Sequence, residues 1–165
     1  MNIKRLAKIL EGSNDLVINE AVLSVAKKRN QILHGARAYN IQSPTHLRKT
    51  TQDYDILTKQ PKKSAEELAE KLRRRLGKDV KVSKDSHKGT YRVKIDGTVV
   101  ADYTQIKTKP RTKKVWGTEV KSLKSIKQST QRIVKNKSTE YRREKDLSTL
   151  DRIKKIEDIE KKFRI

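Results

Sequence analysis

Apolar positions recur at helical spacing near the start of the chain and then give way to short alternating runs. Ile3–Leu10 predicts a short amphipathic helix closed by Gly12-Ser13-Asn14. Ala21, Val22, Val25 and Ala26 form an apolar stripe that predicts a second helix from about Asn19 to Asn30. Gln31–Gly35 reads as a short strand ending in a turn, with a helix starting over Ala36–Asn40. Ser43-Pro44-Thr45-His46 breaks that helix, and Asp53–Leu57 is the next strand.

Ser64-Ala65-Glu66-Glu67 has the form of a capping box. It predicts a helix with Leu68, Leu72 and Leu76 inward and Gly77 as its stop. Val80 and Val82 alternate as a strand. Tyr91–Ile95 and Val99–Tyr103 flank Asp96-Gly97, a two-residue hairpin signal. Alternation along the second hairpin strand puts Val100, Asp102 and Thr104 on one face. Beyond it, helices are expected over 119–134 and 140–163, the last with Ile153, Ile156, Ile159 and Phe163 as its apolar stripe. No internal repeat is visible. The expectation is an α+β fold, a small mixed sheet with flanking helices and a C-terminal helical tail. Its core would span residues 1–106, a connector 107–117, and C-terminal helices packed on the core 118–165.

Composition sharpens the picture. At 165 residues, 33% of them hydrophobic, the chain makes one domain with a small core. Its net charge of +22 exceeds what solubility needs and calls for a polyanion, nucleic acid before membrane. No long apolar run, signal peptide or lipidation motif supports a membrane partner, so a cytoplasmic or virion location is expected and secretion is not. With no cysteine, disulfides and thiolate zinc sites are excluded, and His34, His46 and His87 lack the spacing of a zinc site. The basic residues peak in Lys107–Lys114, where Lys107, Lys109, Arg111, Lys113 and Lys114 surround Pro110. That segment reads as a flexible basic connector that binds RNA or DNA.

The candidate chemistry lies in the carboxylates. On an extended strand, Asp53, Asp55 and Leu57 share a face while Tyr54 and Ile56 take the other. Asp102 from a neighbouring strand would complete a set of three. Three oxygen donors on one face suit Mg²⁺ or Mn²⁺ and the phosphoryl-transfer chemistry such ions support. Gly35, between a strand and a helix, lets backbone approach a phosphate. The plain alternatives are a strand-edge acidic pair and an ordinary turn.

The combination resembles the nucleotidyltransferase superfamily, whose core is shared with DNA polymerase beta. It looks most like the abortive-infection-type toxins and the poly(A) polymerase catalytic subunits of large DNA viruses. Leu33-His34-Gly35-Ala36-Arg37-Ala38-Tyr39-Asn40 is similar to the first motif, with Ala36 where glycine or serine is usual. Lys49-Thr50-Thr51-Gln52-Asp53-Tyr54-Asp55-Ile56 resembles the second. Asp102 in Val-Val-Ala-Asp-Tyr matches the third carboxylate. Tyr141-Arg142-Arg143-Glu144-Lys145-Asp146-Leu147 looks like a basic helix motif of the toxin branch. The resemblance implies a sheet of the nucleotidyltransferase type. Asp53, Asp55 and Asp102 would be metal ligands and catalytic residues, and Gly35 and Ala36 would line the phosphate turn. Lys49 would meet triphosphate charge, or be an ordinary solvated lysine.

Two functions follow. The first is a metal-dependent transferase that moves a nucleoside monophosphate from NTP to a hydroxyl, most plausibly on RNA. The second is a non-catalytic nucleic-acid-binding or virion-associated protein that keeps the same fold. The overall charge favours the second, and three carboxylates on one face oppose it. Tyr103 and Trp116 are either base-stacking aromatics or core residues, and Lys145 and Asp146 read as a pair on a helix surface, ahead of a role near the active site.

Overall fold

The computed structural model describes residues 16–164. The helix expected at Ile3–Leu10 lies outside the described residues. In chain order the elements are α1 (Leu16–Lys28), β1 (Ile32–His34), α2 (Gly35–Ile41), β2 (Tyr54–Thr58) and α3 (Pro61–Leu76). They continue with β3 (Val80–Lys84), β4 (Thr90–Ile95), β5 (Thr98–Gln105), β6 (Thr112–Val115), β7 (Thr118–Lys121), α4 (Leu123–Val134) and α5 (Arg143–Lys162). Short 3₁₀ turns at Thr45–Leu47 and Lys137–Arg142 precede β2 and α5. The strands form one mixed sheet in the order β3-β4-β5-β2-β1-β7-β6. Pairing is antiparallel except between β2 and β5 and between β1 and β7, which are parallel. The α+β expectation holds.

The core follows from alternation. In β2, Tyr54 and Ile56 are fully buried while Asp55 and Leu57 are half-buried; in β5, Ala101 and Tyr103 are buried beside Asp102 and Thr104. The helix stripes supply the rest, with Ala21, Val22 and Val25 of α1 and Leu68 and Leu72 of α3 in the same apolar cluster. At roughly 2 kcal/mol for each large side chain taken out of water, this cluster is the main force holding the sheet together. Ile153 and Ile156 bring α5 into it. Tyr103 is therefore core, not a stacking platform.

Three expectations are corrected. α3 begins at Pro61 and not at the supposed capping box, because proline fits the first helical position, where its missing N–H is not needed. Ser64 sits inside the first turn, where its buried hydroxyl donates to Gln60 O (2.8 Å) and accepts from Gln31 Nε2 (2.8 Å). The connector at 107–117 is not wholly loose, since Lys113 and Lys114 lie in β6, and β6 and β7 close a hairpin at the sheet edge. The boundary expected at 106 thus falls within one sheet. The next helix starts at Leu123 and not at Glu119, capped by the Ser122 hydroxyl accepting from Ser125 N.

The last helix is fastened across the loop before β2. Arg152 Nη1 donates to Leu47 O (3.1 Å) and Arg48 O (2.8 Å), and the Lys49 ammonium donates to Thr149 Oγ1. Asn40 at the end of α2 grips the Lys49 backbone from both sides, with Nδ2 donating to its carbonyl and Oδ1 accepting from its N–H, each at 2.7 Å.

Candidate active site

Strand register places the carboxylates. β2 and β5 run parallel with Asp55 directly beside Asp102, and Asp53 stands one residue before β2. One carboxylate oxygen from each of Asp53, Asp55 and Asp102 lies within 4.8 Å of the others. The row continues on both sides: Arg92 of β4 pairs with Asp102, and His34 of β1 pairs with Asp55. Directly paired residues share a face, so four strands contribute one line of charged and polar groups.

The lead-in to β2 is fixed from below. Arg37 of α2 is buried, stacks over the Tyr54 ring at 4.4 Å and donates to Asp53 O (3.2 Å) and Gln52 O (3.4 Å). Gly35 has φ +63, and a Cβ there would meet Asp55 Oδ2 at 2.2 Å. Only glycine therefore lets the β1–α2 turn come so close to this carboxylate. The expected phosphate turn is in the structure a turn seated against Asp55, with Ala36 next in the same helix.

The electrostatics of the row are uneven. Burial, followed by repulsion from Asp53 and Asp102, raises Asp55 to about 6, while Lys145 and Arg92 oppose the rise. Crowded, partly desolvated carboxylates of this kind gain from a divalent cation. The three carboxylates form a group that could hold a metal ion, with Asp53, Asp55 and Asp102 as the residues that would hold it. Arg92 offsets part of the negative charge, donating from Nε to Asp102 Oδ1 and from Nη2 to Asp102 Oδ2, both at 2.8 Å, and reaching Asp85 at 3.4 Å. These hydrogen bonds to Asp102 raise the Arg92 pKa further. Burial, then Lys121, lowers His34 to about 4, so its imidazole is neutral at neutral pH; its Nε2 is buried without a hydrogen-bond partner.

Basic groups from the C-terminal helix complete the surroundings. Lys49 is lowered to about 8 by burial, then by Lys145 and Arg152, with Asp146 opposing; its ammonium also lies 5.1 Å from the Tyr39 ring centroid. Lys145 acts on the charges of both Asp55 and Lys49. Lys145 and Asp146 are not a surface pair, because Asp146 is buried and its carboxylate accepts from Arg142 (2.8 and 3.0 Å). The expected nucleic-acid residues divide: Lys109 and Lys114 line a cleft with Ile32 and Thr58, at the end of β1 and β2 remote from Asp55. Lys113 faces the groove beside α4 and α5. Arg92 and Arg37 escaped the sequence reading; the Asp96-Gly97 turn alone would set Ala101 opposite Arg92, and a β-bulge at Val93/Lys94 shifts the register by one residue to bring Asp102 there.

The fold compares well with that of a crystal structure of the Megavirus polyadenylate synthase, at TM-score 0.70 and 17% identity over 92% of this chain. The fold is nucleotidyltransferase-like. JHP933 from Helicobacter pylori is also similar, at TM-score 0.54 and 13% identity over 81% of this chain. An antigenic nucleotidyltransferase-like protein from Paracoccidioides brasiliensis gives 0.47 and 14% over 86% of this chain and 76% of its own length. At these identities the likeness is one of fold alone. The chain spans 34% of the Megavirus protein and 61% of JHP933. No family model and no curated protein matches the sequence. No helix of the described residues is long and apolar enough to cross a membrane.

Proposed function

We propose that the protein is a metal-dependent nucleotidyltransferase that moves a nucleoside monophosphate from NTP to a hydroxyl, on RNA in preference to other acceptors. The observation behind this reading is the convergence of Asp53, Asp55 and Asp102 beside a turn that only Gly35 accommodates. A bound Mg²⁺ or Mn²⁺ would supply charge neutralisation on the phosphates and acidify the attacking hydroxyl. Asp53 and Asp55 would hold both ions and Asp102 one of them, with Arg37 fixing the chain that presents Asp53. Asp102 takes the acceptor proton. A bond forms between the acceptor oxygen and the α-phosphorus, the α–β bridging bond breaks, and pyrophosphate leaves. Lys145, which acts on Asp55, meets the triphosphate charge together with Lys49, on which Lys145 also acts.

One observation favours the second reading, a nucleic-acid-binding protein that keeps the fold without the chemistry. Both oxygens of Asp102 accept from Arg92, which takes up part of their lone-pair capacity and sets a cation against any metal held there. Incubation with radiolabelled NTPs, Mg²⁺ or Mn²⁺ and a mixed RNA pool separates the two. Label on the RNA that disappears in Asp102→Ala supports transfer. Binding of the pool without any label transfer under either metal selects the second reading.

A further inference from the structure

A cleft of about 650 Å³ opens at the end of β1 and β2 opposite the carboxylates, within the size range of small-ligand sites. Its walls carry five cationic side chains, Lys27, Arg29, Lys59, Lys109 and Lys114, against the single carboxylate of Glu119. These residues come from the end of α1 and the turn after it, the β2–α3 turn, the segment after β5, and the β6–β7 hairpin. The fold therefore gathers like charges that the sequence scatters. Along β2 the cleft residue Thr58 lies about 10 Å from Asp55, so this is a different place from the carboxylate row.

The charges are unevenly compensated. Arg29 donates to Glu67 Oε2 and, at 3.4 Å, to Gln60 Oε1, and Lys109 meets Glu119 only at 3.4 Å. Lys27, Lys59 and Lys114 have no carboxylate within ion-pair distance among the described residues, although all three are exposed and free to reach one. The Lys27 ammonium instead lies against Gly117 in the hairpin turn, 3.8 Å from where a Cβ would be. Exposed lysines held together in a concavity repel one another, and the same concavity focuses their field on an anion. Compact ammonium charges on flexible stems, without paired arginine forks, suit a phosphodiester backbone read for charge and not for sequence.

We propose that this cleft is a second anion site that binds the phosphate backbone of single-stranded nucleic acid, apart from the carboxylate row. It holds a strand whether or not the transferase reading is correct, and its test needs no catalysis. Binding of fluorescent oligouridine and oligothymidine to the full chain is followed by anisotropy across a KCl series. Lys27→Gln/Lys59→Gln/Lys114→Gln is compared with Lys154→Gln/Lys161→Gln/Lys162→Gln, three exposed lysines of α5. Each lost phosphate contact flattens the log-affinity against log-salt slope by roughly 0.7, so the cleft variant should flatten it by about 2 and the helix variant by far less. Equal flattening overturns the proposal. So does dependence of phosphatidylserine-vesicle binding on the three cleft lysines with no change for either oligonucleotide. Photo-cross-linking of a 4-thiouridine oligonucleotide to the unmodified protein reads the site without any variant: label in peptides around Lys59 and Lys114 supports it, and label confined to other peptides rejects it. Oligouridine bound more tightly than oligothymidine marks RNA as the natural strand, and the reverse marks DNA, under the same cleft assignment. Asp53→Asn/Asp55→Asn should leave the salt slope intact, which keeps failure of the transferase reading separate from failure of this one.

Discussion

Arg92 and Asp102 are register partners across β4 and β5, and the guanidinium spends two parallel 2.8 Å hydrogen bonds on both oxygens of the carboxylate. A fork of this kind fixes a carboxylate in one plane. It also puts a permanent positive charge beside the place where a divalent ion would be held. The same residue therefore braces Asp102 and would compete with any divalent ion held there.

Arg92→Met should separate those roles. Removing a nearby cation should tighten Mn²⁺ binding severalfold by titration calorimetry, while Asp102 loses its orientation and any transfer activity falls. Unchanged Mn²⁺ affinity would show that the guanidinium does not compete, and that Asp102 stays in its grip when metal binds.

Gly35 and Gly77 form a matched pair for a second test. Both have left-handed backbone, φ +63 and +61, but a Cβ at Gly77 meets nothing within 4 Å, whereas one at Gly35 collides with Asp55. Gly77→Ala should cost about 1–2 kcal/mol of backbone strain and leave metal binding alone. Gly35→Ala should cost more, and should also abolish the rise in melting temperature that Mn²⁺ produces. Equal losses with metal binding retained in both variants would mean that the turn does not position Asp55.

The carboxylate row was largely legible because strand alternation has a fixed period: Asp53, Asp55 and Asp102 needed only the correct strands. The β6–β7 hairpin was missed for a physical reason. Thr112, Val115, Thr118 and Val120 are the β-branched residues of two short strands around Trp116-Gly117. The turn needs positive φ at both central residues, and Trp116 adopts φ 48, which bulky side chains rarely do. The dense lysines drew attention to charge, yet lysine on an edge strand also blocks edge-to-edge pairing. The Arg92–Asp102 fork was not legible because a bulge at Val93/Lys94 shifts the local hairpin register, and the gathering of Lys27 and Lys59 with Lys114 was not because it depends on non-local pairing.

Asp55 predicts the pH dependence of metal binding. Its folded pKa, about 6, lies above the ordinary 3.8, so in the metal-free protein its contribution to stability is present below about 3.8 and lost as pH rises through 6. Metal needs the ionised form, so the signs oppose: affinity for Mn²⁺ should rise with pH and level off above 6. One titrating proton makes binding at pH 5 about tenfold weaker than at pH 7. Asp55→Asn should remove this dependence along with most of the affinity. A flat profile between pH 5 and 7 in the unmodified protein would place the ion elsewhere.

Lys49 is poised between two jobs. Its ammonium donates to Thr149 and faces the Tyr39 ring, which makes it a strut for α5, and Lys145, the cation that acts on it, also acts on Asp55. Burial first, then Lys145 and Arg152, holds its pKa near 8, below the ordinary 10.5. The buried charge therefore costs stability below about pH 8, and that cost is relieved as pH rises towards 10.5. Triphosphate binding needs the charged form, so NTP affinity should fall as pH climbs past 8. Lys49→Met should raise KM for NTP severalfold with a smaller change in kcat, and should flatten that alkaline fall. Thr149→Val, which removes only the hydroxyl partner, should lower the melting temperature by a few degrees and leave KM near normal. If Lys49→Met and Thr149→Val change stability alike and neither alters NTP binding, Lys49 fastens the C-terminal helix and has no part in holding the nucleotide.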